Sequence, residues 1–217
     1  MIDFESLGRN VAGNYRYVSW SHRWARSRLK REDRIIARFL AKHENLYRGN
    51  RPWTSLDLGC GSQPANPFGA NTVCGIDIRD DVQNNVLKAD LTFDPIPNET
   101  SSLDFVTAHD FIEHVPRVIP LDSGSRFPFV ELMSEIYRVL KPGGFFYSRT
   151  PAYPHHEVYQ DPTHVNIITS NTFPYYFCWH GLGGPWARMY GFQGRFEFVG
   201  QRWSGPRLLT VMRKMSS

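Results

Sequence analysis

Three short segments each end an apolar run with a carboxylate. Leu56-Asp57-Leu58-Gly59-Cys60-Gly61-Ser62 sets Asp57 two residues before a Gly-Cys-Gly turn. Gly75-Ile76-Asp77-Ile78 and Ala89-Asp90-Leu91 repeat the acid further along the chain. Glycines at 59 and 61 let the backbone turn sharply and come close to a ligand, which a β-carbon would prevent. A carboxylate accepts hydrogen bonds and cannot donate them, so Asp77 suits the paired hydroxyls of a ribose. Asp90 suits an exocyclic amine, with Ile78 and Leu91 flanking a flat ring. The loop is acidic and has Pro64 where a dinucleotide-binding loop wants a third small residue. It therefore fits a cationic ligand without phosphate better than a nicotinamide dinucleotide, and an NAD-linked reductase is disfavoured.

These acids need strand ends to stand on. Trp53–Leu58, Thr72–Ile78, Val86–Leu91, Leu103–Ala108 and Phe145–Arg149 read as five short strands. Phe129–Leu140 reads as a helix with Val130, Met133, Ile136, Tyr137 and Leu140 on one face, stopped by Pro142-Gly143-Gly144. Strands separated by crossovers imply a mostly parallel sheet with helices on both faces, and such sheets bind ligands at the carboxyl ends of their strands. Arg195–Trp203 and Leu208–Lys214, divided by Ser-Gly-Pro, read as a C-terminal antiparallel hairpin. The fold class is α/β. One domain divides into a basic helical segment (1–50), a ligand-binding core (53–150), an irregular insertion (151–194) and the hairpin (195–217).

LDLGCGS, GIDI, KADL, LDFVTAHDFIEHV and EIYRVLKPGGFF, in this order, resemble the class I S-adenosylmethionine-dependent methyltransferases, closest to the small bacterial type-11-like ones. The resemblance covers about residues 53–150 well and the hairpin in outline. It implies a Rossmann-like seven-stranded sheet with a reversed final strand and S-adenosylmethionine as cofactor. It implies cofactor contacts from Asp57, Gly59, Cys60, Gly61, Asp77, Asp90 and the fourth-strand end at His109-Asp110. Glu113-His114 resembles the pair that forms a wall beside the cofactor. The departure is GCGSQP: with Pro64 so soon after the turn, the helix that usually follows this loop is expected to be short or absent.

The acceptor is expected near strands four and five, among Thr150–His156 and Asp161–Asn166. Methyl transfer mainly needs donor and acceptor aligned, and a hydroxyl acceptor must also lose a proton to a positioned base. His164 is the first candidate, with Asp161 orienting it or serving itself, and His109 is the runner-up. His155, His156, Asp161 and His164 could alternatively gather a divalent metal. Tyr153, Tyr159, Phe173, Tyr175, Tyr176, Phe177 and Trp179 crowd the insertion. They could pack as core and lid or stack on sugar rings. Asp-Pro-Thr-His resembles a pattern of methyltransferases near surface-polysaccharide genes, so a glycan hydroxyl or related small metabolite is the expected acceptor.

The chain has 217 residues, a hydrophobic fraction of 41% and a net charge of +4. That composition fits a folded globular domain. Residues 21–42 hold eight Lys/Arg against two Asp/Glu. This segment is either a solvated helix face or a contact for an anionic surface, and it keeps open a nucleic-acid methyltransferase. A non-catalytic cofactor-binding protein is the remaining alternative, opposed by the three intact acids at 57, 77 and 90. Three scattered cysteines argue against a disulfide framework, and the first residues do not read as a secretory signal, so a cytoplasmic protein is expected.

Overall fold

The computed structural model describes residues 52–180 and 184–215. The basic segment at 21–42 lies outside the described residues. Seven strands form one sheet: β1 (Thr54–Leu58), β2 (Thr72–Asp77), β3 (Val86–Lys88), β4 (Leu103–His109), β7 (Leu140–Pro151), β8 (Phe196–Ser204) and β9 (Arg207–Lys214). Their order is β3-β2-β1-β4-β7-β9-β8. The pairings from β3 across to β7 are parallel, and β9 is antiparallel to both β7 and β8. A separate small hairpin pairs β5 (Ile119–Leu121) with β6 (Gly124–Arg126).

The central strands are buried on both faces, as a covered parallel sheet requires, with Asp57, Thr107 and Thr150 among their buried polar residues. On one face Leu56, Leu58, Val106, Ala108 and Phe146 join one core with Phe129, Leu132, Met133, Ile136 and Val139 of helix α1 (Pro128–Val139). Of the face read from the sequence, Met133 and Ile136 are at its centre, whereas Val130 and Tyr137 are only partly buried and Phe129, Leu132 and Val139 take their place. On the other face Phe68, from the loop after β1, stacks on Phe105 with centroids 4.4 Å apart and meets Tyr147 edge-on. Among the described residues no helix lies between β1 and β2. The loop after the Gly-Cys-Gly turn is thus helix-less, as Pro64 led us to expect.

Several boundaries move. β7 begins at Leu140 rather than Phe145, because Leu140 already pairs with Leu103 before a register shift absorbs the glycines. Gly143 sits at φ 80, a left-handed conformation that a side chain disfavours. β3 stops at Lys88, so Asp90 and Leu91 lie on the loop beyond the strand. The hairpin turns at Gly205-Pro206, with Gly205 at φ 60 between the paired Ser204 and Arg207. The insertion at 151–194 contributes to the core: Phe173 of α2 (Thr172–Tyr176) and neighbouring Phe177 are buried against Phe129.

Lys214, near the end of β9, is buried and donates from Nζ to the carbonyls of Tyr137 (2.8 Å) and Leu140 (2.7 Å). A cation thereby satisfies carbonyls at the open C-terminus of α1, and lies 4.5 Å from the Tyr137 ring. Lys214→Met keeps most of the volume and strands those carbonyls. The expected loss is about 1.5–3 kcal/mol of unfolding free energy, read from urea melts; an unchanged midpoint would refute the capping role.

Candidate active site

Asp57 lies near the carboxyl end of β1, one residue before Leu58, with 2% exposure. It accepts from the Thr107 hydroxyl (2.6 Å) and the Ala65 amide (2.8 Å), and lies 3.1 Å from His109 Nδ1. The loop after β1 has no helix to organise its amides, and side-chain and strand acceptors do so instead. Gly59 and Cys60 donate their N–H groups to the Ile76 carbonyl, and Gly61 donates to Asp77 Oδ2 at 2.8 Å. Asp77 Oδ1 accepts from both the backbone N–H and the Nε of Arg79. Burial pushes the Asp77 carboxyl up, but the bonds from Arg79 and Gly61 outweigh it and hold the group below its usual range.

Beyond this loop opens a crevice of about 460 Å³ at the carboxyl ends of β1, β2, β3 and β4. Gly59, Asp77, Ile78, Asp90, Leu91, Asp110 and His114 all line it. These residues were each picked out in the sequence. Asp57, Cys60, Gly61 and His109 do not line it. Asp57 and Gly61 act from behind, as described. Cys60 turns its sulfur toward Gly75, and burial followed by the charges of Asp57 and Asp77 pushes its thiol up to about 12. His109 sits against Asp57 and the edge of Tyr147. Asp90 partly closes on its own loop, accepting from the Thr92 amide.

The far wall is built from two segments about fifty residues apart. The Glu113 carbonyl accepts from the amides of Val165 and Asn166, both at 2.9 Å. Asn166, fully buried, donates in turn to the Ile112 carbonyl. This clamp brings Thr163 and His164 to His114, with the two imidazole centroids 4.9 Å apart. Glu113 is wholly buried; one oxygen accepts from Thr150 at 2.7 Å and the other, Oε1, has no partner. Burial raises its carboxyl to about 7 despite the Thr150 bond. Asp110 stands at φ 48 at the end of β4, paired with Arg149 and Arg207.

Two expectations need correction. Asp161 does not orient His164. Its Oδ1 accepts from the Thr163 amide and hydroxyl, which holds its carboxyl below the usual range, and the Thr163 hydroxyl meets His114 Nδ1 at 2.9 Å. His164 Nδ1 instead faces the Val158 carbonyl at 3.0 Å. Nor are His155, His156, Asp161 and His164 gathered as metal ligands. His155 packs on Trp203, and His156 is exposed beside Glu157. Among the described residues, the group of potential ligands is Glu113, His114 and His164, with ligand atoms within 4.8 Å of one another.

No local pattern marks Arg79, Thr150, Arg149 or Arg207 as partners of these acids. Arg207 reaches Asp110 across 97 positions because β9 inserts beside β7, pairing Arg207 with Pro151. Thr163 could have been found, since an Asp two residues before a Thr is a common side-chain turn.

The methyltransferase domain family matches residues 22–187, and the chain belongs to it. Its sheet is that of the class I S-adenosylmethionine-dependent methyltransferases. Among curated proteins no match is found. Solved structures of similar fold include the protein bound to the Trm112 methyltransferase activator in a Haloferax volcanii complex. It is 16% identical over 87% of this chain and 96% of that one, with a TM-score of 0.51. A Bacillus halodurans protein assigned as a methyltransferase is 15% identical over 82% and 99%, TM-score 0.51. The [4+2]-cyclase SpnF is 14% identical over 85% and 81%, TM-score 0.53. At these identities the likeness is one of fold.

Gly59 stands at φ 65, and a β-carbon there would lie 2.3 Å from Phe111 Cδ2. Gly59→Ala should therefore destabilise the fold by about 2 kcal/mol or more, combining left-handed strain with overpacking. Urea unfolding checks this, and a loss under about 0.5 kcal/mol, the size of an ordinary surface substitution, would contradict the contact.

Proposed function

We propose that this chain transfers a methyl group from S-adenosylmethionine to a hydroxyl of a saccharide or related small metabolite. The observation that carries the reading is the convergence of Gly59, Asp77 and Asp90 on one crevice whose opposite wall holds His114 and Thr163. The residues fit the cofactor chemically: the crevice has carboxylates for hydroxyl, amine and ammonium groups, and apolar Ile78 and Leu91 for a flat ring. When bound, S-adenosylmethionine supplies an electrophilic methyl on a sulfonium.

Each residue then has a task. Asp77 receives the ribose hydroxyls, and Arg79, on the same carboxylate, yields an acceptor position to them. Asp90 takes the adenine amine. Asp57 and Gly61 hold the loop against which the cofactor lies. His164 is the proton acceptor for the substrate hydroxyl: its Nδ1–H is engaged by the Val158 carbonyl, which leaves the Nε2 lone pair free. The exposed aromatic side chains of the insertion, Tyr153, Tyr159 and Trp179 among them, supply faces on which a sugar ring can stack. No described helix is long and apolar enough to cross a membrane. We further propose a cytoplasmic location.

Calorimetry with S-adenosylhomocysteine tests the cofactor assignment. Asp77→Ala is expected to weaken that binding by about 10-fold or more, the worth of one to two hydrogen bonds to a charged group; unchanged affinity would remove Asp77 from the ribose site. His164→Ala is expected to bind S-adenosylhomocysteine normally and to lose about 10²-fold or more in labelled-methyl transfer to a saccharide panel. Full turnover by that variant would dismiss His164 as the base.

A further inference from the structure

Glu113 and His114 carry features that the proton-transfer reading, which uses His164 alone, leaves unexplained. Glu113 has an oxygen with no partner in a fully buried carboxylate. Leaving such an atom unpaired costs free energy, so a buried carboxylate ordinarily meets a donor or a cation. The two imidazoles nearest it are held in one particular tautomer. Val158 offers only a carbonyl to His164 Nδ1, so that nitrogen carries the proton. The Thr163 hydroxyl spends its single hydrogen on Asp161 Oδ1 at 2.6 Å, so it must accept from His114 Nδ1. Both rings therefore keep their Nε2 lone pairs bare, each oriented by an outer partner on the opposite nitrogen. For His114 that partner is a hydroxyl backed by a carboxylate. This outer arrangement is the one that metal-binding histidines use to fix ring orientation and raise basicity.

We propose that Glu113, His114 and His164 bind a divalent cation of the zinc, iron or cobalt type through two Nε2 atoms and a carboxylate oxygen. The donor set is nitrogen and carboxylate oxygen with no thiolate, which suits borderline ions rather than magnesium or calcium. One potential ligand atom from each of the three residues lies within 4.8 Å of the others. Tetrahedral ligands at the usual zinc distances are roughly 3.4 Å apart, so side-chain rotation has to bring the three donors closer together. Three protein ligands leave a coordination position open. Of the three ligands His114 lines the crevice, with Thr163 beside it, so the cluster borders the place where an acceptor would sit. The proposal rests on the methyl-transfer reading for its purpose. With a metal bound, His164 is a ligand and not the base; the ion lowers the pKa of the acceptor hydroxyl, whose proton passes to solvent through the crevice.

The test uses Co²⁺ with the full chain and reads the visible ligand-field absorption and the dissociation constant. Binding of S-adenosylhomocysteine is measured in the same samples. The expected result is a saturable one-equivalent site with the intense bands of four- or five-coordinate cobalt. His164→Ala should weaken it by about 100-fold or more, and the outer-partner variant Thr163→Val by roughly 10-fold. His156→Ala, which alters an exposed histidine outside the cluster, should leave it unchanged. Glu113→Gln should act like His164→Ala; its S-adenosylhomocysteine affinity shows whether the variant is folded. The proposal is overturned if Co²⁺ does not bind to protein that binds S-adenosylhomocysteine, or if His164→Ala leaves its affinity unaltered. Loss of S-adenosylhomocysteine binding by the unaltered protein would instead sink the methyl-transfer reading and leave the cobalt result to stand or fall alone.

Discussion

The crevice depends on two carboxylates that take the place of a helix. In a parallel sheet the loop leaving the first strand normally runs into a helix, whose backbone bonds organise its amides. Here Pro64 and the short connection to β2 prevent that, and amides left unpaired in a covered loop would be costly. Asp57 accepts from Ala65, Asp77 accepts from Gly61, and the Ile76 carbonyl takes Gly59 and Cys60. Asp57 can hold this position because Thr107 on the neighbouring strand and His109 engage its other oxygen. The loop is thus fastened to β1, β2 and β4 at once, which fixes the floor of the crevice.

The opposite wall is fastened by different means. No strand pairing joins residues 110–114 to 161–166. The Glu113 carbonyl and the Asn166 side chain tie them, and Arg117 adds a bond from Nε to Asn166 Oδ1 at 2.7 Å. Burial of the Glu113 side chain follows from this clamp. A carboxylate pressed between β7 and a loop is tolerated where Thr150 donates to it and where something can answer its second oxygen. The fold alone does not dictate the chemistry, since a [4+2]-cyclase shares it. The reaction is argued from the site residues instead.

Much of this was legible before any coordinates, because the periodicity of short apolar strands and the acids at their ends are local features. Asp77, Asp90 and Gly59 were read that way, and His114 came from the family resemblance. What stayed hidden was set by pairings between distant segments. The Asp161–His164 spacing suggested a carboxylate orienting an imidazole, yet the intervening Thr163 captures the carboxylate and Val158 captures the ring. The four-residue metal set failed because a loop without regular spacing does not converge its side chains, whereas a clamp to Glu113 does. Phe173 and Phe177 were open either to packing as core and lid or to stacking on sugar rings, and their burial against Phe129 puts them in the core.

A crystal structure of the protein with S-adenosylhomocysteine tests the central claim most directly. The account expects the adenosine in the crevice between the Gly59–Gly61 turn and His114, its ribose hydroxyls on Asp77, and Gly61 still bonded to that carboxylate. A ligand bound elsewhere, or a β1–β2 loop that refolds away from Asp57 and Asp77 on binding, would contradict it.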